Sequence, residues 1–347
     1  MIGSGRSSVA EVCDISRANV ADGATSEALA ALKSLGASGK HSNNQERDLH
    51  RWLGGLHGCR LEAFKVPFLL CVPGKEALSE VQVPILLPHE IIDALWQAGP
   101  FQFQRSMTGA KDHKSIEAFW EHCATLEEWR DHPCLKRPSI TRSRLLPIVL
   151  HVDGAEFYSN SEYMVWSMGS VFAEGHVWDI KFPCVCIPHA LMHNVKEKVH
   201  ERVADVLAWS LRAAAAGQWP SRGPFGDELS GFRGELAGTV MSGGWHEISG
   251  CWQTHLISWQ HLAHQCEVKG WKLFRLRPKH HQLDHLAIQV ARTKLNPRKV
   301  MACFSDESFL GYLKRIGVRC HVSNMMDRLF QRYIMFLSLR WHDAKTL

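Results

Sequence analysis

An aspartate at the junction of an apolar run and a glycine can hold a divalent cation, and residues 146–158, LPIVLHVDGAEFY, put Asp153-Gly154 at such a junction. Mg²⁺ and Mn²⁺ are hard cations that take oxygen ligands, so a phosphoryl-transfer centre needs two or three Asp or Glu side chains. Two metals about 4 Å apart activate the attacking oxygen and stabilise the leaving one. Asp153 is the leading candidate for the first ligand. Asp306 and Glu307 open a helical stretch in FSDESFLGYL and can supply a helix-borne acid. Acids in a first turn also suit capping and the helix dipole with no metal at all. That ordinary role is assigned to Asp306, and the metal role to Glu307. The plain competitor for Asp153-Gly154 is a turn, since both residue types favour one.

Other clusters offer different chemistry. CVCIPHALMH brings Cys184, Cys186, His189 and His193 together, all of zinc-ligand type. The cysteines are one residue apart in a strand-like run instead of at C-x₂₋₄-C spacing, so buried structural thiols explain them better than zinc does. PKHHQLDHL supplies His280, His281, Asp284 and His285. His281 and His285 share a helix face, but Gln282 stands where an HExxH zincin needs its glutamate. The chain has no GxxxxGK[ST] or GxGxxG phosphate loop and no GxSxG nucleophile elbow.

The elements that must position these residues follow from periodicity and punctuation. Residues 1–45 hold little apolar bulk and read as a loose, disordered leader, though SEALAALKSLG can form a short helix. Short strands are expected at 66–72 and 81–87, and helices at 89–99 and 115–129. DHPCLKRPSI breaks the pattern with two prolines and marks a boundary. Apolar runs at 145–152, 163–172 and 177–187 then read as three strands, followed by a long helix at 197–216 that Gly217 stops. Strand, strand, strand, helix, with an Asp closing the first strand, is how a ribonuclease-H-like domain begins, although many α/β folds start similarly. Trp245, Trp252 and Trp259 recur every seven residues and read as one apolar helix face, a packed core or partner seam. Further helices are expected at 283–293, 306–316 and 324–341.

The resulting expectation is an α/β chain in four parts: the leader at 1–45, an N-terminal α+β region at 46–135, a core at 136–244 and a helical basic region at 245–347. The core is expected to be a ribonuclease-H-like mixed sheet over about 144–216.

Bulk properties bound the partners. With 45% hydrophobic and 22% charged residues, the 347-residue chain has the composition of a globular protein. No apolar stretch approaches the roughly 18 residues of a membrane helix. The first residues, MIGSGRSSVAEVCD, lack the apolar core of a signal peptide, so the expected location is nuclear or cytoplasmic, not secreted. Eleven cysteines there are expected to be reduced. Charge is uneven: residues 267–347 carry 16 Lys/Arg against 6 Asp/Glu, and residues 1–266 carry 24 against 29. A basic end on a mildly acidic body points to a polyanion, DNA above all, with a solvated helix face as the bland alternative.

Several stretches in serial order resemble one family: PHEIIDAL, AFWEHC with EEWRDHPCL, LPIVLHVDGAEF, ADVLAWSLRAAAAGQWP, PKHHQLDHL, and DESFLGYLKRIGVRC with QRYIMFLSLRW. Over residues 47–341 or so the chain is similar to proteins of cut-and-paste mobile elements of the Kyakuja-Dileera-Zisupton and Plavaka type. The resemblance implies a ribonuclease-H-like transposase whose acidic triad cuts and rejoins DNA with Mg²⁺ or Mn²⁺. It matches Asp153 in HVDGA to the first acid and Glu307 in SDESF to the final one. The middle acid has no counterpart. MSGGW runs straight into HEISGCWQTHL, as though the central portion were missing, and Asp205 and Asp227 come too early. Glu247, Glu174 and Asp179 are the carboxylates to test as substitutes. The implied function is a transposase-derived protein, impaired in catalysis and still able to bind DNA. The alternatives are an active Mg²⁺-dependent strand-transfer or nuclease enzyme, and a zinc-stabilised binding protein.

Overall fold

The computed structural model describes, apart from single positions, residues 9–37, 44–51 in part, 61–129, 133–136, 143–158, 161–229, 304–321 and 324–346. Strand periodicity shows first in β1 (Phe64–Leu70), where alternate residues Val66, Phe68 and Leu70 are buried. Pro67 is accommodated because β1 is an edge strand, and its carbonyl accepts from Arg202 Nε at 2.8 Å. β1 pairs with β2 (Ser79–Ile85), and β3 (Ile148–Tyr158), β4 (Ser161–Ser170) and β5 (Phe182–Pro188) form a meander. The β2–β5 pairing joins them into one five-stranded sheet, ordered β1-β2-β5-β4-β3.

Among the described residues seven longer helices accompany the sheet: α1 (Val9–Ala21), α2 (Glu27–Ser34), α3 (Pro88–Ala98), α4 (His113–Ala124), α5 (Lys196–Ala216), α6 (Phe304–Gly317) and α7 (Met325–Thr346). Local chemistry sets their ends. Pro88 supplies the first turn of α3. Asp112 caps α4, its Oδ1 accepting from Ser115 N at 2.8 Å. Gly217 closes α5 in the left-handed region, φ 64°, which a Cβ disfavours. The Trp120 indole of α4 donates to the Leu145 carbonyl at 2.9 Å and fixes the entry into β3.

Helices cover both faces of the sheet, which is why β4 is buried from Tyr163 through Gly169. On one face α5 packs: Trp166 meets His200, and Phe64 of β1 stacks on Trp209. Val199, Val203, Val206, Leu207 and Leu211 form its buried stripe, as the 3.6-residue period requires. On the other face lie α6 and α7. Phe157 and Tyr163, of opposite parity to Trp166, pack together there, and Phe157 lies so close to Gly317 that a Cβ at that position has no room. Lys65, next to Phe64 but facing the other way, pairs with Asp327 of α7. One buried cluster runs from Leu61 to Trp341 and includes Phe309, Tyr312, Phe330 and Tyr333.

Four expectations change. The described sheet is antiparallel at every pairing, where a mixed sheet was expected. β3 does not end at Asp153-Gly154 but runs on to Tyr158; the glycine leaves space across the ladder that the Glu162 side chain occupies. The run at 177–187 splits into a turn of helix, Val177–Ile180, and then β5. The leader holds α1 and α2, and Cys13 of α1 and Leu35 at the end of α2 pack with Leu49 and Met335 of α7. The described C-terminal helices pack into the same core as the sheet. They are amphipathic, and their apolar side completes the core.

Candidate functional site

β3 is an edge strand of the described sheet, and its residues alternate between faces. His151 and Asp153 therefore point to the same side as Phe157, the side of α6. Asp153 is exposed, and its Oδ1 accepts from the next backbone N–H, Gly154 N, at 2.8 Å. In the first turn of α6, Asp306 is buried and turns toward this strand. Its Oδ1 lies 2.7 Å from Lys181 Nζ and 3.7 Å from His151 Nδ1. The first is a close ion pair, and the second is too long for a hydrogen bond. With Lys181 and Asp306 only 12% and 7% exposed, their pairing compensates two desolvated charges. Glu307 is exposed. Consecutive helical residues diverge by about 100°, so burying Asp306 turns Glu307 away. The structure therefore brings Asp306 to the Asp153 strand and leaves Glu307 at the surface.

The substitute carboxylates are engaged elsewhere or lie outside the described residues. Asp179, 3% exposed, sits between two guanidiniums. Arg340 approaches it with Nε at 2.9 Å from Oδ1 and Nη2 at 2.8 Å from Oδ2, and Arg105 Nη2 lies 2.9 Å from Oδ2. An aspartate clamped this way has most of its lone-pair sites engaged, and the two guanidinium charges beside it oppose a metal. Glu174 follows β4, with its side chain against Gly109 and its N–H donating to the Arg105 carbonyl at 2.9 Å. Glu247, the tryptophans at 245, 252 and 259, and the His280–His285 cluster lie outside the described residues.

Among the described residues no group of three His, Cys, Asp or Glu side chains could hold a metal ion. The described residues do not fit a two-metal centre. Nor do they fit zinc at Cys184–His193. Both thiols are fully buried in β5, and burial pushes them far above the ordinary cysteine range, whereas zinc binds thiolate. His189 turns its Nδ1 to Glu162 at 3.1 Å, and His193 is exposed.

The basic end divides unevenly. Residues 304–346 contribute 7 Lys/Arg against 4 Asp/Glu, so most of the surplus belongs to 267–303, outside the described residues. Within the described helices several cations are committed: Arg340 to Asp179, and Arg332 Nη1 to the Arg319 carbonyl at 2.9 Å.

Lys181 and the arginine partners of Asp179 went unrecognised in the sequence because no spacing signals them. Lys181 is 125 positions from Asp306, and Arg340 is 161 from Asp179. Among the described residues no helix is long and apolar enough to cross a membrane. No family model, curated protein or solved structure matches this chain.

Proposed function

We propose that the chain is a transposase-derived protein of ribonuclease-H-like ancestry that has lost metal-dependent strand transfer and retains DNA binding. The observation that carries the loss is the pair Lys181–Asp306. The one acid of the candidate set buried against the Asp153 strand is already compensated by an ammonium 2.7 Å away. An internal cation there supplies the positive charge that a divalent metal would bring, and it raises the cost of adding one. Asp153 and an exposed Glu307 leave too few carboxylates for a coordination shell. Ancestry is supported by the three consecutive antiparallel strands followed by α5, with Asp153 on the first of them, together with the serial order of the resembling segments. DNA binding is supported by the charge surplus of 267–347.

Calorimetric titration of Mn²⁺ into the wild-type protein and into Asp153→Ala tests the metal half. The expected result is no micromolar binding in either. Micromolar binding by the wild type that disappears in Asp153→Ala overturns the reading in favour of an active enzyme. Duplex affinity measured between 50 and 200 mM salt tests the other half: binding is expected to weaken steeply, by about 10³-fold if six phosphates are contacted. Affinity indifferent to salt sinks it.

A further inference from the structure

Behind Asp179 the fold assembles a surface of rings and guanidiniums that the acidic site does not use. His176 is exposed and stacks on Trp178, with ring centroids 4.9 Å apart and planes 17° from parallel. The Trp178 indole N–H donates to His176 Nε2 at 2.9 Å, which requires that nitrogen to be unprotonated. Burial lowers the His176 pKa from its ordinary value; Asp179 pulls it up, and the Arg340 and Arg105 charges add to the lowering. The two rings form a flat ledge, held from behind by Tyr312, whose centroid is 3.5 Å from that of Trp178.

Cations flank the ledge. The Arg315 guanidinium lies 5.7 Å from the Trp178 ring and 5.5 Å from that of Tyr312, on an exposed side chain with no carboxylate partner among the described residues. Arg105 and Arg340, 33% and 36% exposed, share the single carboxylate of Asp179, so that this triad carries net positive charge. Neutral stacked rings beside surplus guanidiniums match the two needs of an unpaired nucleotide strand, a face for its bases and charge for its phosphates. A duplex offers phosphates but keeps its bases stacked within itself.

We infer that His176, Trp178 and Arg315 form a binding site for single-stranded nucleic acid. This inference rests on the DNA-binding reading and assigns part of it to the described residues. The ring ledge takes a base, Arg315 takes an adjacent phosphate, and the Asp179 clamp holds the supporting loop in place.

The test uses the full chain and three probes: a fluorescein-labelled 20-nucleotide oligo-dT, a duplex of the same length, and heparin as a polyanion without bases. The wild type is expected to bind oligo-dT more tightly than the duplex. His176→Ala is expected to weaken oligo-dT binding about tenfold while leaving heparin unchanged, because stacking is what it removes. Arg315→Gln is expected to lower the slope of log affinity against log salt by about 0.7, one single-strand phosphate contact. Both substitutions are at exposed positions, and unchanged circular dichroism checks the fold. If oligo-dT binding is intact in both variants, this site is wrong while the DNA-binding reading stands. If His176→Ala weakens heparin as much as oligo-dT, the ledge stacks no base and the inference is overturned. If the wild type binds none of the three probes, both this inference and the DNA-binding reading fall.

Discussion

Two buried carboxylates on the α6–α7 side of the sheet, Asp179 and Asp306, meet positive charge in different ways. Asp179 is held by two guanidiniums, one delivered by Arg105 ahead of the meander and one by Arg340 near the chain's end. Planar forks satisfy both of its oxygens, and each fork remains about a third exposed. Asp306 has the ammonium of Lys181 at 2.7 Å and the His151 ring at 3.7 Å. The first arrangement ties three distant segments together and is a structural fastening. The second neutralises an acid beside Asp153, where the implied chemistry needs carboxylates to remain available for a cation. A carboxylate is therefore informative only together with its counter-charge.

The contrast is open to direct attack. Asp179→Ala leaves two guanidiniums facing each other with nothing between them, and is expected to cost about 3–5 kcal/mol in urea unfolding at pH 7. A loss under about 1 kcal/mol would show that the clamp fastens nothing. Lys181→Met is expected to cost less, about 2 kcal/mol, because one ammonium and no fork is lost. Combining it with Asp306→Leu is expected to recover most of that loss, since removing both charges from an apolar site is often neutral. Additive losses in that double-mutant cycle would mean that the two charges do not act as a pair.

The smallest effect lies on the opposite face, where half-buried His200 packs against Trp166. Burial, and then the Lys196 ammonium, hold His200 below its ordinary value of 6.5. As pH falls, the unfolded chain takes up this proton before the folded one does. The stabilisation is thus present above about pH 6.5 and is lost as pH drops through the folded-state value. His176 contributes with the same sign. Unfolding of His200→Gln at pH 7.5 and 5.5 is expected to show a smaller acid-side loss than the wild type, and an unchanged loss would assign the slope to other groups.

Local pattern carried much of the fold. Apolar spacing and the stops at Gly99 and Gly217 located α3 and α5 to within two residues, because helix ends are set by neighbouring backbone groups. β1, β2 and β4 were legible from period and punctuation in the same way. Asp153-Gly154 was misread as a strand end. A glycine that clears space for a cross-strand Glu162 looks the same in sequence as one that turns the chain. Choosing Glu307 over Asp306 had a similar cause, since both lie in a first turn and only the packing of α6 on β3 decides which one is buried.

By itself the sequence determined the elements, the uneven charge and the presence of Asp153 on a strand of the meander. All of these depend on residues a few positions apart, or on simple sums over the chain. Tertiary structure decided which acids are spent. The partners of Asp179 and Asp306 come from segments more than seventy positions away, and Arg340 and Asp306 reach theirs only when α6 and α7 close over the sheet. The same closure set Arg315 beside Trp178, because burying one side of an amphipathic helix fixes where its other side chains emerge.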